Sequence, residues 1–251
     1  MTSLLLRTDQ GYVFKNLVEI LYANFKDVVC LEFTHDGIFC EQMTSNNERM
    51  IKFTLYKASF GNDYEISAPF LIGLQLRQFF NTLKSIKKRD HLMITIEPCR
   101  PSLIVTITTP DQRHQVENVI PYYPVQQLKS LPIDGFSDFI PMSIANFMKL
   151  ARDLNILNSE VRIKFYGKSK CLQVSSSSCD IAEKTITMGT VTGNETPLVG
   201  IFAPEFLGHL NRLNYITQNI KLYFAPQRPL YIKCAISDLG ELQIYLKPTD
   251  T

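Results

Sequence analysis

The chain has 251 residues, of which 45% are hydrophobic and 20% are charged, and its formal net charge is +2. This is the composition of an ordinary globular protein, long enough for one large core or two. The longest apolar runs, such as residues 70–72, are far too short to span a bilayer. The amino terminus has neither the basic lead-in nor the cleavage site of a secretory signal, so we expect an intracellular protein.

Most of the chain has the alternation and the turn signals that are typical of short strands. The residues before Arg7 are predicted to form a first strand. The other predicted strands cover residues 28–33, 37–43, 50–56, 64–67, 92–97, 103–109, 161–166, 171–175, 185–189, 198–202, 221–225, 230–235 and 242–247.

Four segments instead have apolar residues at helical spacing. Their apolar stripes run over residues 14–25, 76–86, 144–154 and 206–213. Ser143 is the expected N-cap of the third helix, and Pro204 lies near the first turn of the fourth, where proline is tolerated.

The helices and strands occur twice in the same order, which indicates an internal duplication. Phe14, Leu17, Leu21 and Val28 recur 133 positions later as Phe147, Leu150, Leu154 and Val161. Gly73, Phe79 and Leu83 recur 127 positions later as Gly200, Phe206 and Leu210. Between the halves, the proline-rich segment from Pro121 to Gly135 is a poor helix or central strand, so it is predicted to be an extended linker. Its apolar residues favour a linker that lies on a surface or anchors a partner.

No constellation of residues predicts catalysis or a metal site. None of the six cysteines forms a C-x-x-C pair or lies at metal-ligand spacing from a histidine, so they are interpreted as reduced core thiols. The chain has no phosphate-binding loop, no dinucleotide fingerprint and no nucleophile elbow. We therefore predict a protein that is not an enzyme and needs no cofactor.

The polar face of every predicted helix carries a cation. For a single helix this is the ordinary solvated face of an amphipathic segment, but four helices at repeated positions favour a shared basic surface for phosphates. The candidate DNA-binding residues are Lys15, Arg77, Lys84, Lys88, Lys149, Arg152 and Arg212.

Three stretches resemble one known family, and the resemblance covers almost the whole chain. They are HDGIFCEQM (residues 35–43), FMKLARDLNILNSEVRI (147–163) and RPLYIKCAISDLGELQIYLKP (228–248). In order and spacing they resemble the DNA sliding clamps of the proliferating cell nuclear antigen (PCNA) family. The resemblance implies an α+β clamp fold with two duplicated domains, each with two helices packed on antiparallel sheets. The expected domains are residues 1–120 and 139–251, joined by a linker over residues 121–138.

The resemblance further implies a homotrimeric ring that encircles duplex DNA, with helices inside and sheets outside. By position, Lys15, Lys84, Lys149, Arg152 and Arg212 match inner-wall cations of the family, whereas Arg77 and Lys88 rest on helical spacing alone. Subunits of the family join edge to edge, which here implicates residues 113–120 and 184–190, with Pro121 ending the first edge. The interface candidates are Arg113, Gln115, Glu117, Val119, Lys184, Ile186, Met188 and Thr190.

The family also binds a short peptide of polymerases and other replication and repair proteins beneath the linker, where apolar side chains plug a pocket. The pocket positions implied here are Met43, Met50, Leu128, Leu131, Pro132, Pro229, Tyr245, Leu246, Lys247 and Pro248. Further implied partners are duplex DNA and a clamp loader, and the implied location is the nucleus or a viral replication site.

Two departures from the family leave alternatives open. The chain is slightly basic although clamps of the family are acidic, which favours a divergent member, viral or from a distant eukaryote. Lys247 replaces a small residue beside the pocket, where a long cation should alter which partner peptides fit. The alternatives are a subunit of a heterotrimeric checkpoint clamp, a monomeric or dimeric viral processivity factor, or a clamp-fold transcription or assembly factor.

Overall fold

The computed structural model describes residues 3–25, 27–97, 100–125, 135–136, 138–155, 160–178, 182–203 and 210–249. The chain divides into two compact units. The first contains Met1–Gln42, Ile51–Ser130 and Ala235–Leu242, and the second contains Met43–Met50, Leu131–Cys234 and Gln243–Thr251. In the described part of the chain, no helix is long and apolar enough to cross a membrane.

In the described residues, the first unit is built from one antiparallel sheet, two α-helices and two short 3-10 helices, Lys57–Ser59 and Gly61–Asp63. Its elements are β1 (Leu4–Thr8), α1 (Gly11–Asn24), β2 (Val28–Thr34), β3 (Gly37–Met43), β4 (Arg49–Tyr56), β5 (Tyr64–Ile66), β6 (Phe70–Gln75), α2 (Leu76–Leu83), β7 (His91–Ile96), β8 (Ser102–Thr108) and β9 (Gln115–Pro124). The strands lie in the order β4-β3-β2-β6-β9-β8-β7-β1-β5. The first residues of β4 and the last residue of β3 belong to the second unit.

The second unit has two smaller sheets and one described α-helix. Its elements are β10 (Phe139–Ser143), α3 (Ile144–Asn155), β11 (Val161–Tyr166), β12 (Cys171–Ser178), β13 (Ala182–Met188), β14 (Leu198–Phe202), a 3-10 helix (Asn211–Tyr215), β15 (Asn219–Tyr223), β16 (Leu230–Ile236) and β17 (Gly240–Leu246). One sheet has the order β13-β12-β11-β14 and the other runs β10-β15-β16-β17. The last two residues of β16 and the first three of β17 belong to the first unit.

Apolar alternation on strands and apolar stripes on helices form the core. Along β7, residues Leu92, Ile94 and Ile96 are buried and alternate with half-buried neighbours, as expected for a strand with one face on a core. Helix α1 buries its predicted stripe and packs on α2 through two ring contacts. The rings of Phe14 and Phe79 meet edge to face at 6.2 Å, and those of Tyr22 and Phe80 stack at 4.8 Å.

Strand register confirms the internal repeat. In the first unit Cys30 pairs with Gly73, and in the second Ile163 pairs with Gly200. The first members of these pairs are 133 positions apart and the second members 127, which are the two offsets in the sequence. Helix α3 begins 133 positions after α1, and Ser143 caps it as predicted because its Oγ accepts the N–H of Asn146 at 3.3 Å.

Two predicted boundaries were wrong. Helix α2 ends at Leu83 rather than Ile86. The backbone makes a tighter turn there, in which the N–H of Ile86 donates to the carbonyl of Leu83, three residues earlier. The second is the start of the linker, expected at Pro121, because β9 runs past this residue, whereas the unpaired edge of β9 does end there. The proline lies opposite Ser102 in the pairing with β8, and the strand continues to Pro124 by pairing with β6, four residues into the expected linker.

Candidate functional site

Three of the predicted DNA-binding cations lie on or directly after the helices of the first unit. Arg77 and Lys84 are exposed, and Lys84 directly follows the last residue of α2. Lys15 on α1 is half-buried, because its Nζ donates to the carbonyl of Ile86 at 3.1 Å and lies 5.3 Å from the ring centre of Tyr12. These two contacts hold the ammonium of Lys15 close to the end of α2.

Lys88 is a DNA-binding candidate on helical spacing alone, but it does not lie on a helix. The residue lies outside α2, in the exposed turn between the helix and β7. This turn is held by Asp90, whose carboxylate accepts the N–H of Lys87 at 2.8 Å. Lys88 therefore belongs to a basic turn rather than to a helix face.

In the second unit, Lys149 and Arg152 are three residues apart on α3 and both are exposed. Side chains three apart lie on the same side of a helix. Arg212 is exposed on the 3-10 helix, with its guanidinium 5.5 Å from the ring centre of Tyr215. The predicted fourth helix falls largely on residues 204–209, outside the described residues. Exposed cations on helical surfaces can contact phosphates without reading bases.

The second unit also contains an aromatic cluster that includes three of the predicted pocket residues. Met50 and Tyr245 are 4% and 7% exposed, and Met43 packs against them. The hydroxyl of Tyr245 donates to Oε1 of Gln243 at 3.0 Å, so the polar end of the ring is satisfied.

The sequence did not predict three further members of this cluster. Tyr231 is 9% exposed, and Phe136 and Tyr223 pack beside it. The rings of Tyr231 and Tyr245 stack at 4.6 Å and those of Tyr223 and Tyr231 at 4.7 Å, while Phe136 lies 5.2 Å from Tyr231. The alternation pattern of the sequence could have predicted this grouping. Each of Tyr223, Tyr231 and Tyr245 alternates with buried aliphatic residues on its strand, so all three lie on the face of the sheet opposite those aliphatic residues.

The other predicted pocket residues are not members of this aromatic cluster in the described part of the chain. Leu246 is buried, but as the neighbour of Tyr245 on β17 it faces the opposite side of the sheet. Lys247 is exposed and its backbone N–H donates to the carbonyl of Glu48 at 2.8 Å, while Pro229 and Pro248 are half-buried. The predictions for Leu128, Leu131 and Pro132 lie outside the described residues.

Both predicted subunit edges have one unpaired side in the described part of the chain. Residues 115–121 of β9 pair with β8 alone, and Val116 and Val119 on this segment are 51% and 50% exposed. Strand β13 is the outer strand of its sheet and pairs with β12 alone. Arg113 precedes β9 and Thr190 follows β13, and Gln115, Glu117, Ile186 and Met188 lie on the strands.

One of the interface candidates already has a partner within its own unit. Nζ of Lys184 on β13 lies 3.5 Å from a carboxylate oxygen of Asp153 on α3. Both side chains are partly exposed, so the pair contributes little to stability. In this structure, however, the Lys184 side chain points toward α3 of its own chain.

Thiols and metal ligands define no further site among the described residues. Cys40, Cys171 and Cys234 are buried and Cys30 is half-buried, and none of these four forms a disulfide. Burial raises the pKa of the Cys30, Cys40 and Cys171 thiols, which makes them poor nucleophiles. In the described ranges, no group of three or more His, Cys, Asp or Glu side chains could hold a metal ion.

Comparison with known proteins identifies the fold as that of a DNA sliding clamp. One chain of a solved complex of PCNA2 and PCNA3 from Sulfolobus tokodaii matches this fold with a TM-score of 0.84 and 17% sequence identity. The match covers 97% of the protein described here and 98% of the matched chain. No family model matches the sequence.

Two curated relatives match over nearly their full lengths. Proliferating cell nuclear antigen 2 of Drosophila melanogaster is 20% identical over 257 residues, 96% of each chain. DNA polymerase sliding clamp 3 of Sulfurisphaera tokodaii is 20% identical over 244 residues, 95% of this chain and 94% of its own. Together with the fold, these relatives support a PCNA-type clamp, the family that the sequence resembles.

Proposed function

We propose that this protein is the processivity clamp of a DNA replication machinery. In this proposal, three copies close into a ring around duplex DNA and tether polymerases and other replication and repair proteins through a peptide pocket. The protein acts in the nucleus or at a viral replication site, with a clamp loader to open the ring and no catalytic role of its own. The observation that carries the proposal is the similarity, over more than nine-tenths of each chain, to a proliferating cell nuclear antigen and to a DNA polymerase sliding clamp.

The helix cations support the DNA-binding part of the proposal. Lys15, Arg77 and Lys84 in the first unit and Lys149, Arg152 and Arg212 in the second all lie on or directly after helical segments. A closed ring is held on DNA by topology, so its wall needs only weak contacts that do not depend on sequence. Dispersed lysine and arginine side chains provide such contacts through phosphate neutralisation.

The unpaired edges support the ring. An exposed strand edge with apolar side chains favours association with another strand. Strands β9 and β13 offer two such edges in different units of one chain, so a head-to-tail contact between copies can repeat and close.

The aromatic cluster supports the tethering function. Apolar and aromatic plugs are the usual anchors of short peptides in grooves, and a buried pair of stacked rings with partly buried side chains around it offers them a complementary surface. Three of the predicted pocket residues, Met43, Met50 and Tyr245, lie in this cluster.

A second candidate is a subunit of a heteromeric clamp, favoured by the fact that the matching solved structure contains two different clamp subunits. Light scattering of the purified protein separates the two candidates. A mass three times the 28.7 kDa of the chain supports the homotrimer, and a stable monomer at micromolar concentration refutes it. Primer extension with the polymerase and loader of the same organism then tests the function, because a clamp must lengthen the products made in one binding event.

A further inference from the structure

Helices α1 and α2 carry a stacked pair of aromatic rings that is partly open to solvent. The rings of Tyr22 on α1 and Phe80 on α2 are 4.8 Å apart, and their planes are 12° from parallel. Tyr22 is 36% exposed and Phe80 is half-buried, so the stack lies at the surface of the helix pair rather than in its core. A surface stack of this kind can be extended by a further flat ring.

The second repeat of the chain has no counterpart of this exposed pair. At the two offsets of the repeat, Tyr22 corresponds to Asn155 and Phe80 to Leu207. The buried rings behave differently, because Phe14 and Phe79, which meet edge to face in the core, recur as Phe147 and Phe206. The repeated helix pair therefore requires the buried rings and not the exposed ones, which favours a role in binding for Tyr22 and Phe80.

Exposed cations are concentrated on α2 and in the turn after it, over residues 76–89, which we call the basic segment. The segment has no acidic residue and five basic ones, all of them exposed: Arg77, Lys84, Lys87, Lys88 and Arg89. These five charges exceed the net charge of +2 of the whole chain, so the rest of the chain is net acidic. In the part of the chain that the structure describes, no ion pair involves any of the five.

The aromatic pair lies among these cations. Arg77 is three residues before Phe80 and Lys84 is four residues after it, and Lys84 keeps helical backbone angles, so both lie on the same side of α2 as the Phe80 ring. From α1, the ammonium of Lys15 reaches the carbonyl of Ile86 within the basic segment. This surface of the first unit therefore combines a fixed pair of rings with positive charges on both sides of it.

We propose that this surface binds single-stranded DNA, with an unpaired base stacked on the Tyr22–Phe80 pair and the phosphates of the strand along the basic segment. A duplex offers phosphates to the cations but keeps its bases stacked on one another, so it makes no use of the rings. An unpaired base has a free face that stacks on aromatic side chains while nearby cations neutralise its phosphates. The inference rests on the proposed clamp function for the presence of DNA at this surface, and it adds a second form of DNA to the ligands of the clamp.

Three probes of equal length test the inference by fluorescence anisotropy with the full-length protein. They are oligo-dT, an abasic strand with the same phosphates, and oligo-dT paired with oligo-dA. Oligo-dT should bind roughly tenfold more tightly than the abasic strand, which is the effect expected for one stacked base. Equal affinities for the two single strands would overturn the inference, because the rings would then contribute nothing. A poly-glutamate peptide of the same charge represents an acidic protein partner, and tighter binding of this peptide than of oligo-dT would overturn it as well.

The double variant Tyr22→Leu/Phe80→Leu removes the rings and keeps an apolar contact between α1 and α2. It should lose the preference for oligo-dT over the abasic strand and leave the affinity for the duplex unchanged. Tyr56→Leu, at an exposed ring on β4, is the matched control and should keep the preference. A preference that survives in the double variant would show that the base does not stack on this pair.

A second variant tests the basic segment with both rings in place. Lys87→Gln/Lys88→Gln/Arg89→Gln should lower the salt slope of log K for oligo-dT by roughly 2, at about 0.7 for each phosphate contact with a single strand. Lys57→Gln/Arg162→Gln/Lys168→Gln removes as many exposed cations elsewhere and should retain the slope. An unchanged slope in the first variant would refute the path of the strand.

The inference and the clamp function can fail separately. If the unchanged protein lengthens the products of primer extension but does not bind oligo-dT, only the single-strand site is refuted. If it binds oligo-dT through the ring pair but does not lengthen the products, the clamp function is refuted and the single-strand site stands.

Discussion

The rings of Tyr231 and Tyr245 lie parallel, with centroids 4.6 Å apart and planes only 5° apart. They belong to adjacent strands, and Met50 of β4 completes the buried part of the cluster. This stacking holds both rings in place. Met43, Phe136 and Tyr223 are only partly buried and form the rim of the cluster. A rigid aromatic floor with a more accessible rim suits a site that receives apolar plugs from a peptide.

Replacing Tyr245 by alanine should therefore damage both the cluster and the proposed peptide binding. Removing a buried aromatic ring costs about 3 kcal/mol in the free energy of unfolding, and the anchoring surface is lost with it. Urea denaturation measures the first effect and anisotropy with an aromatic peptide the second. Tyr56→Ala, at an exposed position on β4, is the control and should leave peptide affinity unchanged. Unchanged affinity in Tyr245→Ala would contradict the placement of the pocket.

The sequence predicted the repeated elements well, because their hydrophobic periods are strong and occur twice. It missed β6 as a strand because residues 70–72 form a continuous apolar run, which does not alternate. It missed β10 because Pro141 interrupts it. The structure explains that proline, since β10 is the outer strand of its sheet in the described residues, where a missing N–H is tolerated.

The candidate site was only partly predictable. Met43, Met50 and Tyr245 followed from the family resemblance. Tyr223 and Tyr231 did not, because an aromatic residue in a strand is usually explained by strand propensity alone. Their significance depends on the pairing of β15 with β16 and of β16 with β17, which a single sequence does not reveal. Phe136 was hidden in a segment that was interpreted as linker.

Charge reversal on the helices should weaken DNA contact without unfolding the protein. In the double variant Lys84→Glu/Arg152→Glu, one exposed cation is reversed in each unit, so the core is untouched. Each lost phosphate contact lowers the salt slope of log K by about 0.9, so the slope measured on a duplex should fall by roughly 2. Lys57→Glu/Arg162→Glu has the same change of charge at exposed positions outside the α-helices and should retain the slope. An unchanged slope in the first variant would refute the proposed DNA surface.

A charge placed on the exposed edge of β9 should prevent association. Val119→Asp puts a carboxylate on an apolar position that is half exposed in the single chain, and burying it against another copy without a partner is costly. Light scattering should show monomers at concentrations where the unchanged protein forms its oligomer. Val199→Asp makes the same change on β14, at a position that is 57% exposed, and should leave the oligomer intact. If both variants assemble normally, β9 is not the interface.

Tyr64 should make the stability of the first unit sensitive to alkaline pH. Its buried hydroxyl donates to the carbonyls of Thr34 and Gly37, at 2.8 and 3.0 Å, and thereby ties β5 to the turn between β2 and β3. Burial raises the pKa of Tyr64 to about 12, above the usual value of 10. Because the folded pKa is the higher one, the protonated hydroxyl stabilises the folded state. That contribution is complete below pH 10 and is lost as the pH rises toward 12.

Urea denaturation of the unchanged protein and of Tyr64→Phe between pH 8 and pH 12 measures this contribution. We expect the variant to be less stable by about 1 kcal/mol below pH 10, since both carbonyls lose a donor. The difference should shrink between pH 10 and pH 12, because the unfolded tyrosine then loses its proton while the folded one keeps it, which shifts the unchanged protein toward unfolding. Tyr123→Phe, on a half-exposed ring of β9, controls for the loss of a surface hydroxyl. A difference that stays constant up to pH 12 would show that Tyr64 does not couple ionisation to folding.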